Sequence, residues 1–153
     1  MKKIIVVLAS AFIFMSSFTT QTQLPESELK LDSKGNLFEG VEQEFHENGK
    51  LKTSVHYTDG KREGELIKYH FNGNVKEQGH FKNGVKDGKW EMWDKSGVKV
   101  AEAHYVNGKK DGEWKIWSSD GKLLHEMNYK MGERDGKWTI RDEKGNITFE
   151  TVY

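Results

Sequence analysis

The chain has 153 residues, 24 basic and 24 acidic, a formal net charge of zero that excludes the basic surplus of a nucleic-acid binder. Hydrophobic residues make up 35% and aromatics 12%, which implies a thin core of large rings instead of a thick aliphatic one. Cysteine is absent, excluding disulfides and attachment of a lipid through a thiol.

In chain order, Lys2 and Lys3 precede an apolar run, IIVVLASAFIFM, and then small and polar residues from Ser16. This is the pattern of a secretory signal over residues 1–20, with cleavage expected near Thr19 or Thr20. The run is short for a membrane-spanning helix, and a retained anchor is the alternative. The protein is expected to be exported, to the periplasm, the cell surface or the medium. Residues 21–35, with the only proline at Pro25, read as a linker.

Residues 36–153 repeat. Glycines recur every 24 residues at Gly40, Gly64, Gly88, Gly112 and Gly136, and in phase with them at Gly49, Gly73, Gly97, Gly121 and Gly145. Gly60, Gly84, Gly108 and Gly132 form a third series, and Tyr57, Phe81, Tyr105, Tyr129 and Tyr153 an aromatic one. Self-similarity at one period is the mark of a repeat architecture. Each unit holds two short runs rich in aromatic and β-branched residues, separated by Asn48-Gly49, Asn72-Gly73, Ser96-Gly97, Asp120-Gly121 or Lys144-Gly145. Such pairs predict a hairpin with a tight primed turn. The fold class is therefore all-β, an elongated array of five 24-residue antiparallel hairpins.

A two-residue loop at Ser96-Gly97 sets the register: Trp90 faces Ala103, Met92 faces Ala101 and Gly88 faces Tyr105. The next unit pairs Trp114 with Met127 and Gly112 with Tyr129, and the last pairs Trp138 with Thr151. One face thus collects Trp90, Trp114, Trp138, Met92, Ile116, Ile140 and the tyrosines, and is expected to be the core, each tyrosine ring lying over a glycine. The first units put Glu42 opposite Val55 and Lys68 opposite Glu77, a polar end suited to stopping a linear array. The run Ile147, Phe149, Thr151 and Val152 reads as an edge able to meet another chain.

Several candidate sites repeat as well. His56, His80 and His104 share one position, and His46 and His70 another. Equivalent residues lie two strands apart, roughly 10 Å, too far to converge on one zinc ion, so no metal site is expected. Phe45, Tyr69, Trp93 and Trp117 fall on the face opposite the core tryptophans. They either fill a small cluster with Val100 and Leu124 or form a row of partly exposed rings suited to a protein groove or a polysaccharide. Asp87, Asp111 and Asp135 sit in turns, where aspartate supports the turn. Lys86, Lys109, Lys110, Arg62 and Arg134 line the links between units with acids beside them, so strong binding to an anionic membrane surface is not expected. No nucleophile elbow, metalloprotease helix or phosphate-binding loop is present, and no cofactor or catalytic residue is implied.

The pattern carried by Gly88-Lys89-Trp90-Glu91-Met92-Trp93, Gly112-Glu113-Trp114-Lys115-Ile116-Trp117, Gly136-Lys137-Trp138, the tyrosine series and the turn glycines resembles MORN-type repeats. It is most similar to the MORN variants of the bacterial YwqK-like antitoxin family, over residues 40–153. The resemblance implies a run of antiparallel hairpins and a non-enzymatic role in binding or neutralising a partner protein. Export departs from an antitoxin acting inside the cell; an immunity-like or interaction protein of the envelope reconciles the two. The second function expected from the residues is glycan binding through Phe45, Tyr69, Trp93 and Trp117.

Overall fold

A computed structural model describes residues 29–153. The expected signal, 1–20, and positions 21–28 of the expected linker lie outside the described residues. The chain is one antiparallel meander: β1 (Gly40–Phe45), β2 (Leu51–Thr58), β3 (Lys61–Tyr69), β4 (Val75–Lys82), β5 (Val85–Trp93), β6 (Lys99–Val106), β7 (Lys109–Lys110), β8 (Gly112–Trp117), β9 (Leu123–Lys130), β10 (Glu133–Arg134), β11 (Lys137–Arg141) and β12 (Ile147–Val152). Each strand pairs with its sequence neighbours in a single sheet, and no described residue is helical. β7 with β8, and β10 with β11, are single strands interrupted at Asp111-Gly112 and Asp135-Gly136. There Asp111 N donates to His104 O at 3.0 Å and Asp135 N donates to Asn128 O at 3.0 Å. The glycine takes φ +81° in the first break and +61° in the second, a region closed to most side chains.

The central pairs have the register the sequence predicts: Gly88 with Tyr105, Trp90 with Ala103 and Met92 with Ala101. The turns do not. The primed two-residue turns lie between units, at Asp59-Gly60, Asn83-Gly84, Asn107-Gly108 and Met131-Gly132, where both residues have positive φ as a type I′ turn requires. At the hairpin tips the expected two-residue loop is replaced by a wider one. Asp94 N donates to Val98 O at 2.9 Å, Gly97 N donates to Asp94 O at 3.0 Å, and the Asp94 carboxylate accepts from the amides of Ser96 and Val98. A bulge between Met92 and Trp93 absorbs the difference, so a wrong turn and a right register coexist. Asn-Gly marks both kinds of turn because each needs glycine in the left-handed region.

On the front face, rings alternate in an unbroken ladder. Phe81 meets Trp90 at 5.1 Å, Tyr105 meets Trp114 at 5.2 Å, Trp114 meets Tyr129 at 5.3 Å, Tyr129 meets Trp138 at 5.1 Å and Trp138 meets Tyr153 at 5.2 Å. Trp90–Tyr105, at 6.3 Å, closes the series. Most of these contacts are edge-on, the geometry the ring quadrupole favours. The expected reason for the tyrosine–glycine pairing does not hold. A Cβ built on Gly88 meets nothing within 4 Å; the glycine is there for its φ of +77°. The glycine that does lie beneath a ring is Gly79, opposite Trp90 across β4 and β5, where an added Cβ would stand 2.2 Å from the indole.

A single layer buries little. Val55, Tyr57, Leu66, Phe81 and Trp90 form the buried cluster, while Met92 and Ile116, expected as core, are 40% and 37% exposed. No second layer lies over them among the described residues, so more than a third of each residue stays wet. At the N-terminal end, Lys30 N donates to Gly60 O and Phe38 N to Lys30 O, seating residues 30–38 on the first turn. Phe38 meets Tyr57 edge-on at 5.6 Å, and the Lys30 ammonium lies over both rings and pairs with Glu42.

Candidate functional site

Two surfaces follow from this ribbon. On the back, Phe45, Tyr69, Trp93 and Trp117 each end the strand that enters a hairpin tip. Each is paired across a bulge, with Leu51, Val75, Lys99 and Leu123 respectively. Equivalent rings are therefore two strands, roughly 10 Å, apart, and none takes part in a ring–ring contact. Phe45 is 59% exposed and the other three are half-buried. The structure sets all four on one face, and a cavity adjoins Trp93. That cavity holds about 410 Å³ and is lined by Asn74, Val75, Gln78, Trp93, Ser96 and Gly97.

Farther along the back face the surface is charged. Glu91 and Glu102 stand directly opposite one another, an arrangement that costs stability unless it is neutralised. Lys89 bridges them at 3.0 Å to each, and Lys99 contacts both. The Lys99 hydrogen bond, outweighing burial, holds the Glu91 carboxyl below its usual value. For Glu102 burial acts upward, and the two lysines overcome it.

On the front, three rows run side by side. The middle row holds Trp90, Ala103, Trp114, Met127 and Trp138. One flank is the register line Met92, Ala101, Ile116, His125, Ile140 and Phe149, each opposite the next. Phe149, at 44%, is about as exposed as Met92. The other flank carries cations. Lys86 lies 3.7 Å from the centre of the Trp90 ring, Lys110 4.4 Å from Trp114, Arg134 4.9 Å from Trp138 and Arg62 5.4 Å from Phe81. The sequence reading placed these four in the links between units, with acids beside them. The structure instead lays them on rings, a contact of about 0.5–2 kcal/mol each. Their 24-residue period, two positions before each bulge glycine, was the available signal.

The recurrent acids and histidines bind units together. Asp87 accepts from Asn107 N at 2.9 Å and Asp111 from Met131 N at 2.9 Å, each supporting the turn of the following unit instead of its own. His46 and His70 reach the carbonyls of Tyr69 and Trp93 at 3.1 and 2.8 Å. His56 reaches that of Glu63 at 3.0 Å. Among the described residues no three His, Asp or Glu side chains are grouped as a metal ion would need.

A ribbon of glycine-punctuated hairpins, with ring ladder and cations in register, defines a β-hairpin repeat protein. The MORN repeat variant pattern matches residues 38–59, 62–83, 86–107 and 110–131. Together these cover more than half of the chain, which belongs to that family. The hairpin of β11 and β12 repeats the geometry once more beyond the matched residues. Two solved structures are similar in part. One is a crystal structure of accessory secretory protein 1, 2 and 3 in Streptococcus pneumoniae, at 15% identity and a TM-score of 0.37, covering 82% of this chain and 22% of that one. The other is a GtfA/B complex bound to UDP and GlcNAc, at 7% identity and a TM-score of 0.32, covering 90% of this chain and 28% of that one. This chain thus spans about a quarter of the length of those it matches. No curated protein matches it.

Proposed function

We propose that the protein is a non-enzymatic scaffold, exported and immunity- or antitoxin-like, that binds a partner protein across its front face. One observation carries this reading: the exposed apolar residues Met92, Ile116 and Phe149, with half-buried Ile140 on the same line, bordering the ring ladder and its cations. Of the four cations only Lys86 is in an ion pair, with Glu77 at 3.4 Å, among the described residues. The fitting partner therefore presents an apolar ridge with carboxylates along one margin. The N-terminal run and the resemblance to YwqK-like antitoxins support the exported, immunity-like part of the reading. The test is recovery of a partner from the native envelope fraction by the wild type and by Met92→Glu/Ile116→Glu, with β content checked by circular dichroism. A partner held by the first and lost by the folded variant is expected. No partner, or one equally retained by the variant, refutes the proposal.

The Trp93 cavity favours a second reading, glycan binding along Phe45, Tyr69, Trp93 and Trp117. Trp93→Ala and Trp117→Ala are then expected to lower retention on immobilised cell-wall glycans. Unchanged retention in both variants would remove it.

A further inference from the structure

The Trp93 cavity departs from the repeat that built it. In a chain with 31% charged residues, its six lining residues carry no charge. Twenty-four residues earlier the matching positions are Lys50, Leu51, Ser54, Tyr69, Asn72 and Gly73. There the Lys50 side chain fills the space, passing 3.4 Å from where a Gly73 Cβ would stand and donating to Asn72 O at 2.7 Å. Twenty-four residues later, Lys99 and Glu102 stand at the positions of Val75 and Gln78 and belong to the charge quartet. The place of Asn74 is held by Lys50, Val98, Lys122 and Asn146 in the other units; beside Trp93 the short, neutral Asn74 leaves the space that Lys50 fills beside Tyr69, and nothing lies within 4 Å of a Cβ built on Gly97.

The polar atoms left over have a common character. The Asn74 amide donates to Lys95 O at 3.0 Å and the Gln78 amide to Glu65 at 2.7 Å. Both carbonyl oxygens remain as acceptors beside the Ser96 hydroxyl, at the edge of a half-buried indole. A neutral ligand with an apolar face and a rim of hydroxyl donors matches this set. A pyranose is such a ligand: its C–H face packs on the indole, and its hydroxyls meet the oxygens of Asn74, Gln78 and Ser96. A volume of about 410 Å³ lies within the range of small-molecule sites and suits one or two sugar rings.

We propose that Trp93, Asn74, Gln78 and Ser96 form a subsite for a neutral hexose unit of a glycan. The proposal rests on the glycan reading, and its test separates the two. Chitotriose and cellotriose are titrated into the protein while the Trp93 indole resonance is followed by NMR, with sorbitol as an open-chain control. A saturable shift with either sugar, absent with sorbitol, is expected. Gln78→Ala is expected to weaken it about fivefold, the loss of one net hydrogen bond. Asn74→Lys, which copies the filled site around Tyr69, should abolish it while the other indole resonances stay in place. No shift with either sugar, an equal shift with sorbitol, or an undiminished shift in Asn74→Lys overturns the proposal. Loss of a partner protein in Asn74→Lys, without any sugar shift, would assign the cavity to protein binding and overturn it too. Trp117→Ala reports on the longer row alone: it should leave the trisaccharide shift intact, and a lost shift would contradict a subsite confined to the Trp93 cavity.

Discussion

Gly79→Ala tests the packing on which the ribbon depends. In an ordinary strand this change is favourable, since alanine gives up less backbone freedom on folding, by roughly 0.5–1 kcal/mol. Here the new methyl would stand 2.2, 2.4 and 2.7 Å from three carbons of the Trp90 indole. Trp90 is 3% exposed and is held edge-on by Phe81 and from above by Lys86. It must move by about an ångström, because contacts below 3.0 Å are essentially never seen. Overpacking of this kind costs about 1–3 kcal/mol, and the disturbed ring pair and cation contact add about 1 kcal/mol. The expected net loss is about 2 kcal/mol once the alanine gain is subtracted, a fall of roughly 7 °C in melting temperature for a chain of this size. Urea unfolding followed by near-ultraviolet circular dichroism measures it. The double variant Gly79→Ala/Trp90→Leu should recover much of the loss, since Leu66 already occupies the matching place in the previous unit, and the coupling isolates the contact. A Gly79→Ala protein as stable as the wild type would mean that the ring does not lie over that glycine, and the ladder geometry would be wrong.

Two more predictions concern turns and ion pairs. Met131 takes φ +49° at a position that carries Asp59, Asn83 and Asn107 in the other units. An exposed methionine held in the left-handed region costs about 1 kcal/mol, so Met131→Asn should stabilise by about that amount in the same unfolding assay; a loss of stability would contradict the turn assignment. Burial pushes the Glu77 carboxyl up, but Lys68 at 2.7 Å and Lys86 outweigh it and hold it below its ordinary value of 4.5. A carboxyl depressed in the folded state contributes stability that is complete above its unfolded value and lost as pH falls through its folded one. Wild type should thus lose stability faster than Glu77→Gln between about pH 5 and pH 2; parallel curves would refute the pairing.

The hairpin array and its register were legible in the sequence because side-chain period and glycine spacing act locally and recur. Trp90 opposite Ala103 follows from counting. The turn types were not legible: Asn-Gly satisfies both a primed turn and a bulged tip, and only the hydrogen bonds of Asp94 and Val98 show which one forms. The carbonyl partners of His46, His56 and His70 in the following unit could not be read from a repeat considered alone. Of the four rings singled out, spacing put Phe45, Tyr69, Trp93 and Trp117 in one row. What sits beside each ring depends on neighbouring strands, so the difference between the filled site at Tyr69 and the open one at Trp93 stayed hidden.

By itself the sequence determined that this chain forms β-hairpins in series, because glycine in the left-handed region and alternating large residues leave the backbone few other choices. Only the tertiary structure decided which apolar residues are dry. Among the described residues a meander without a second layer packs the ring ladder against itself and leaves Met92, Ile116 and Phe149 partly in water, since burial is a property of what covers a face and not of the residues that compose it.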